Sequence, residues 1–244
     1  MRALVLRLDA PLMSFGTVIV DHHGFIDPFP GIATLTGLFA NALGWNHTDW
    51  DLLQDLQNRL DFVARWDVRP TRIIDYQTAN LGDQKMRIPG WTTRGVPEHR
   101  FGGPVAKYGT HQRYRHYWSD GLMTVVVSLV EGAYDIDRIR QAVERPARPL
   151  FLGQKACLPS RPLLDPVTPV QEGPDLLTVL QAIPVWDRSG RVQDTKEPKL
   201  TCWSQEKAYG VDGERRLVYD LRDWRNQLPA GSRWRMQGMI GGEE

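Results

Sequence analysis

The stretch from Lys85 to Trp118 brings basic, aromatic and glycine residues together in a chain that is close to neutral. It holds seven basic residues and one acidic residue, so it carries +6, and the rest of the chain, at a total of +1, carries −5. Basic groups can follow a phosphate backbone, aromatic rings can stack on unpaired bases, and glycines allow close backbone approach. The stretch is therefore predicted to bind single-stranded RNA. Its basic residues are Lys85, Arg87, Arg94, Arg100, Lys107, Arg113 and Arg115, and its aromatic residues are Trp91, Phe101, Tyr108, Tyr114, Tyr117 and Trp118.

Two histidines in this stretch raise the alternative of metal-free RNA cleavage. His111 and His116 lie beside Arg113 and Arg115, and imidazole titrates near neutrality. The sequence shows no base and acid partnered at a fixed geometry, so hydrogen-bond donation to RNA is favoured and no catalytic residue is predicted. Composition alone also fits a surface loop whose aromatic side chains pack on the loop's own base.

A metal site is a weaker hypothesis. The pair His22-His23 lies near Asp21 and Asp27. Adjacent residues of an extended chain point apart, however, and no two histidines have the helical spacing of a metal site. We therefore expect no metal.

The two cysteines and the rest of the composition limit the classes of protein to which this chain can belong. Cys157 and Cys202 have no metal-ligand or disulfide-scaffold spacing, which favours a reduced, cytoplasmic protein. No apolar run is long enough to span a membrane. Phosphate-binding loops, nucleophile elbows and dinucleotide fingerprints are missing, so no cofactor is expected.

Residues 145–164 form a second basic segment, with frequent proline and glycine and no acidic residue. Lys155 and Arg161 within it are candidate phosphate contacts. A rigid surface crossover is the alternative interpretation.

Apolar spacing predicts the elements that position these segments. Gly44 should end the first helix, Thr48 should begin the second, and Asp135 should begin the third. The predicted strands are 2–8, 62–68, 73–78, 122–130 and 176–183, and the predicted helices are 32–43, 48–60 and 136–143.

This order predicts an α+β fold with a ferredoxin-like (RRM-like) βαββαβ domain in residues 1–183. Residues 80–118 would be inserted between central strands as a loop or a long, irregular hairpin. Residues 184–244 would form a small β-rich C-terminal part.

Five segments in the first 165 residues resemble, in order, the CasD family, the type I-E branch of the fifth numbered CRISPR-associated family. The fifth segment, residues 148–163, is similar to the family's Leu-Gly-Arg-Lys-Ser-Cys-Pro segment. The family's Pro-Thr-Arg-Ser is replaced here by Pro30-Gly31-Ile32-Ala33. No arginine contact is therefore carried over, although helix-terminal amides could still bind an anion there. The segments are LVLRLDAPLMSFG (4–16), FPGIATLTGLFANALGW (29–45), DYQT (75–78), RYRHYWSDGLMTV (113–125) and RPLFLGQKACLPSRPL (148–163).

The resemblance implies a non-catalytic RNA-binding subunit of the type I-E CRISPR Cascade complex, acting in antiviral defence. Family members hold the 5′ handle of crRNA, cap one end of the complex and extend a β-hairpin thumb, which by position is residues 80–118. They contact the backbone and large subunits, and they reach target DNA only through the complex. A separate endoribonuclease makes the guide RNA, and the family members bind that RNA through its phosphate backbone and its shape.

On this basis Lys107, Arg113 and Arg115 are predicted to contact handle phosphates. Tyr114 or Tyr117 would stack on a base. The rival hypothesis is a metal-independent endoribonuclease that processes CRISPR repeat RNA, as in type I-C relatives. A third is a protein–protein scaffold whose insertion touches only neighbouring subunits. The candidate RNA-binding residues are Arg100, Lys107, His111, Arg113, Tyr114, Arg115, Tyr117, Lys155 and Arg161.

Overall fold

The computed structural model describes residues 1–17, 23–80, 110–132, 135–204 and 209–241. The predictions for Arg100 and Lys107 lie outside these ranges. The description of His111 is limited to its backbone, so its predicted RNA contact is not tested. No helix within the described ranges is long and apolar enough to cross a membrane.

The described residues form short strands, most of them antiparallel, and four helices. The strands are β1 (Arg2–Asp9), β2 (Leu12–Met13), β3 (His23–Gly24), β4 (Leu60–Val68), β5 (Thr71–Asn80), β6 (Thr110–Ser119), β7 (Leu122–Leu129), β8 (Val170–Glu172), β9 (Lys199–Ser204), β10 (Glu214–Val218), β11 (Arg222–Asp223), β12 (Leu228–Pro229) and β13 (Arg233–Ile240). The helices are α1 (Ile32–Leu43), α2 (Trp50–Arg59), α3 (Ile136–Glu144) and α4 (Leu176–Ala182).

Two helix boundaries follow the local signals in the sequence. Gly44 has a φ of 81°, and its N–H donates to carbonyls of the last turn of α1, as expected for a glycine that ends a helix. Asp135 accepts the N–H of Arg138 at 2.8 Å and begins α3. Both predictions are confirmed.

Two other predictions of local structure are wrong. Residues 176–183 were predicted as a strand, but they form α4, which begins where Asp175 accepts the N–H of Thr178 at 2.8 Å. The apolar run forms a helix because its buried residues recur at helical spacing and pack on the sheet. The N-terminal capping residue of α2 is Asp49 rather than Thr48, one residue later than predicted. The buried residues of α4 are Leu176, Leu177, Val179 and Leu180.

The main sheet has seven strands in the order β10-β13-β9-β4-β7-β1-β8, and all its neighbouring strands are antiparallel. Helices α1 and α3 cover one face, where Leu4, Leu6 and Leu8 of β1 lie in the core, as their alternation predicted. Helix α4 covers the other face. The chain is thus a mixed α/β protein with antiparallel sheets, and β9, β13 and β10 extend the sheet beyond β4.

A second, smaller sheet is formed by a hairpin that lies between β4 and β7 in the sequence. Strands β5 and β6 pair antiparallel from Thr71–Ser119 to Asn80–Thr110. The short strands β2 and β3 also pair with β6. We call the pair β5 and β6 the arm. Its described part is a continuous antiparallel ladder, whereas most of the loop or long, irregular hairpin predicted for residues 80–118 lies outside the described residues.

A buried ion network joins the main sheet to the segment that follows α4. The side chain of Arg7 is 1% exposed. Its Nε donates to Asp165 at 2.8 Å, and its Nη1 donates to Asp67 at 2.6 Å. Nη1 also donates to the Thr124 hydroxyl at 2.6 Å, and Nη2 donates to the Pro184 carbonyl at 3.0 Å. The network therefore links β1, β4 and β7 to two loops.

Replacing Arg7 by methionine should lower the free energy of unfolding by about 3–5 kcal/mol, because the buried Asp165 loses its ion pair and the buried Asp67 keeps only the one with Arg65. Urea unfolding of the full chain measures this. The matched control is Arg2→Ala, which breaks a solvent-exposed pair with Asp137 and should change stability little. Equal losses in the two variants would contradict the special role of Arg7.

Candidate nucleic-acid interface

Side chains of the arm divide into two faces because successive residues of a strand point to opposite sides. In β6, Tyr114 and His116 lie on one face, and Arg113, Arg115 and Tyr117 lie on the other. Arg113 and Arg115 thus lie on the opposite face of the strand from Tyr114 and His116.

The first face of the arm carries a row of stacked rings, which we call the aromatic face. The ring of Tyr114 lies 5.0 Å from that of Tyr76 and 4.7 Å from that of His23, and His23 lies 5.4 Å from Phe25. Tyr76 is 50% exposed and Phe25 is 42% exposed. Both ends of the row are thus open to a stacking ligand, which suits unpaired bases.

The second face of the arm looks onto a groove of about 1210 Å³ between the arm, α1, residues 151–157 and residues 219–229. Among the residues that the structure describes, its lining includes one acidic residue, Asp220, and five lysine or arginine residues. Phe25 and Tyr114 of the aromatic face also contribute to it. The groove is therefore cationic and partly aromatic. The basic residues of the lining are Arg113, Arg115, Arg148, Lys155 and Arg222.

The loop 151–157 is held tightly against the segment that follows β2. Gly153 has a φ of +100°, and a Cβ there would lie 1.7 Å from the Ser14 carbonyl oxygen. The Leu152 N–H donates to the Cys157 carbonyl at 2.8 Å, and the buried Cys157 side chain anchors the loop. This geometry directs the exposed Lys155 to the groove.

Three other predicted or considered residues have partners within the protein. Tyr117 is 4% exposed, so its ring belongs to the core. Arg161 forms an ion pair with the buried Asp9 at 2.7 Å and lies outside the groove lining. Arg148 donates to the carbonyls of Gly44 and Trp45 and so satisfies the C-terminal end of α1. The candidates that the structure brings together at the groove are Arg113, Tyr114, Arg115 and Lys155.

The N-terminus of α1, where the sequence left room for an anion, is filled by a carboxylate of the protein. Asp220 accepts the N–H of Ile32 at 3.1 Å on Oδ2 and the N–H of Ala33 at 3.0 Å on its carbonyl. A Cβ at Gly31 would lie 2.5 Å from the Cβ of Asp220. Glycine at position 31 therefore permits this approach, and Asp220 takes the place that a bound anion would occupy.

His116 lies in the aromatic face and is 3% exposed. Its Nδ1 accepts a hydrogen bond from Arg72 at 2.7 Å, which puts the ring proton on Nε2, and Nε2 has no partner among the described residues. Burial lowers the pKa of His116, and the neighbouring Arg72 and His23 lower it further. Five residues of strand, about 16 Å, separate it from His111. The two backbone positions are therefore far apart for an acid and a base acting on one phosphodiester.

The metal hypothesis finds no support in the described part of the chain. Asp21 and His22 lie outside the described residues. Within the described ranges, no three histidine, cysteine or carboxylate side chains are grouped to hold a metal ion.

Sequence reasoning missed Gln154, Asp220, Phe25 and Tyr76. The first two act through contacts with residues far away along the chain, for which the sequence carries no periodic signal. Phe25 lies in a short loop and Tyr76 in a strand predicted without its register, so neither could be aligned with Tyr114. The alternation of β5 was the one available signal for Tyr76.

Comparison with known proteins identifies the family. The family model described as CRISPR-associated protein (Cas_Cas5) matches residues 3–236. The chain belongs to the Cas5 family. The resemblance seen in the sequence is thereby confirmed.

Individual relatives agree with this assignment. The chain is 28% identical over 169 residues to the CRISPR system Cascade subunit CasD of Escherichia coli strain K12, covering 66% of this chain and 68% of the relative. A chain of a CRISPR RNA-guided surveillance complex superposes with a TM-score of 0.67 at 22% identity, covering 98% of this chain and 90% of that one. A crystal structure of a Cas protein superposes with a TM-score of 0.64 at 22% identity, covering 98% of this chain and 95% of that one. The two structures share the fold of this Cas5 chain.

Replacing Gly153 by alanine should destabilise the protein by more than about 1 kcal/mol, because φ is positive and the added Cβ meets a backbone oxygen. Urea unfolding measures the loss. Gly16→Ala is the control: Gly16 also lines the groove, but a Cβ there has nothing within 4 Å. A neutral Gly153→Ala would contradict the described loop geometry.

The buried state of His116 predicts a pH dependence of stability. Because its folded pKa lies below the ordinary value of 6.5, the neutral side chain contributes stability that falls as pH drops through 6.5. The wild type should thus lose more unfolding free energy between pH 7.5 and pH 5.5 than His116→Gln does. Parallel curves for the two proteins would contradict the prediction.

Proposed function

We propose that this chain is the non-catalytic subunit that grips the 5′ handle of crRNA in a type I-E CRISPR Cascade complex and caps its backbone. The observation that carries the proposal is the groove, whose lining among the described residues has five lysine or arginine residues and one carboxylate. Membership of the Cas5 family and the similarity to a Cascade subunit named CasD support it. A cationic groove with aromatic walls suits the backbone and unpaired bases of a single strand.

Within the groove, Arg113, Arg115 and Lys155 would contact phosphates, and Tyr114 would stack on a base. Tyr117 would act by holding the arm in place, since its ring is buried. Arg161 would contribute by fixing the loop that carries it, through its ion pair with Asp9. The contacts assigned to Arg100, Lys107 and His111 remain part of the proposal.

The order of the central strands supports the finer description of the fold. We take β1, β4, β7 and β8 as the four strands of a ferredoxin-like βαββαβ domain, with α1 and α3 as its helices. Their order in the sheet is β4-β7-β1-β8. The arm would then be the base of the thumb, and residues 184–244 would be a small β-rich part added to residues 1–183.

The proposed partners follow from this assignment. The chain would contact the backbone and large subunits of the complex and would reach target DNA only through the assembled complex. We place it in the cytoplasm, where guide RNA is made and used, and we propose no cofactor.

The alternative function is a metal-independent endoribonuclease that cuts CRISPR repeat RNA. It needs an acid and a base near one phosphodiester. His116 is buried with a lowered pKa and lies five strand residues from His111. Holding the RNA is therefore the better supported function.

Replacing both Arg113 and Arg115 by alanine should weaken binding of a 5′-handle RNA oligonucleotide at least about tenfold. Two lost phosphate contacts should also reduce the slope of log affinity against log salt by about 1.4. Fluorescence anisotropy at several salt concentrations measures both quantities.

The control for this test is Arg138→Ala, which removes one exposed positive charge on α3, away from the groove. It should leave both affinity and salt slope nearly unchanged. Equal effects of the groove and control variants would contradict the proposed site. In the same samples, cleavage of repeat RNA in EDTA, abolished by His116→Ala, would favour the endoribonuclease instead.

A further inference from the structure

We propose that Gln154 is a positioning residue, which fixes the guanidinium of Arg115 at the groove wall without neutralising its charge. This inference rests on the proposed function, since it assigns a role within the same RNA-binding groove.

The side chain of Gln154 connects three segments of the chain. Its Oε1 accepts hydrogen bonds from Arg115 Nη1 at 3.0 Å and from the Tyr117 hydroxyl at 3.1 Å. Its Nε2 donates to the Ser14 hydroxyl at 3.2 Å. Ser14 in turn donates to the carbonyl of His116 at 3.4 Å. Gln154 thus bridges the loop 151–157, the segment after β2 and strand β6.

The position of the Gln154 amide is itself fixed. Tyr117 is buried in the core, so its hydroxyl is a fixed donor. The close approach of Gly153 to Ser14 holds the backbone beside it, and the Gln154 carbonyl accepts the N–H of Cys157 at 2.9 Å. The acceptor offered to Arg115 therefore has little freedom, which lowers the entropy lost when Arg115 binds a ligand.

The chemistry of the amide matters as much as its position. A guanidinium has five N–H donors, and one Nη of Arg115 is engaged by Gln154. Among the described residues, no other hydrogen bond holds the Arg115 side chain, so its remaining donors are available to a phosphate. A carboxylate at position 154 would hold the same group but cancel its charge. The neutral amide orients the cation and preserves it.

The residue that follows Gln154 adds a second cation to the groove wall. Lys155 follows Gln154 directly and also lines the groove. The same short loop therefore orients one cation and supplies another. Two adjacent phosphates of a single strand are the ligand that fits this pair of cations.

A double-mutant cycle tests the inference on the full-length chain with a 5′-handle RNA oligonucleotide. Gln154→Ala should weaken binding about fivefold to tenfold, and Arg115→Ala about tenfold, the scale of a charge-assisted hydrogen bond. If Gln154 acts through Arg115, adding Gln154→Ala to Arg115→Ala should cost little more. Additive losses would overturn the positioning role, because they indicate a general effect on the loop.

Gln154→Glu is the second variant, and thermal unfolding accompanies each protein. The carboxylate keeps the acceptor for Arg115 and Tyr117, so the fold should persist, while the salt slope should fall by about 0.7 as one cation is cancelled. An unchanged slope would count against the inference. If the wild type and Arg115→Ala bind the RNA equally weakly, the proposed function fails. If Arg115→Ala weakens RNA binding but the Gln154 variants bind as the wild type does, the positioning role alone fails.

Discussion

The guanidinium of Arg7 lies between β1, β4 and β7 and the segment after α4, shielded from water. A buried charge is costly unless it is paired and hydrogen-bonded. Here two carboxylates, a hydroxyl and a carbonyl accept four of the five N–H groups, and the Trp186 ring lies 4.2 Å from the cation. Asp67 also accepts from Arg65, which donates to two carbonyls at the end of α4. One network of ion pairs and hydrogen bonds therefore holds together the main sheet, α4 and the segment after α4.

The sequence predicted those elements whose apolar period is strong. Strands β1, β4 and β7 are buried on both faces, and their high apolar content made them recognisable. Helices α1 and α3 were recognised because their buried residues recur at helical spacing. Helix α4 was missed because LLTVLQAI is a short apolar run, which periodicity alone cannot assign. This run forms a helix because it packs against the second face of the main sheet. Of the arm, β5 was predicted as a strand over residues 73–78, but β6 was not, because its polar, charged and aromatic residues fall on both of its faces.

The candidate site was predicted in part. Arg113, Arg115 and Lys155 were found because basic residues concentrate in two segments, and both segments line the groove. Charge density does not reveal what else a side chain touches. Tyr117 lies in the core and Arg161 pairs with Asp9, contacts that depend on the register of β6 and on a residue 152 positions away. Gln154 is an uncharged residue within the segment similar to the family's Leu-Gly-Arg-Lys-Ser-Cys-Pro, and Asp220 lies outside every motif, so only the folded chain shows their contacts at the groove.

The capping of α1 by Asp220 has a consequence for the order in which the protein is made. The helix starts at residue 32, yet the carboxylate that satisfies its first amide comes 188 positions later. Until Asp220 has been synthesised, these N-terminal amides have no protein carboxylate to accept their hydrogen bonds. Completion of this end must wait until the C-terminal strands have left the ribosome, and Arg233, which holds Asp220 at 2.8 Å, follows later still. The groove wall is thus one of the last surfaces of the protein to mature during synthesis.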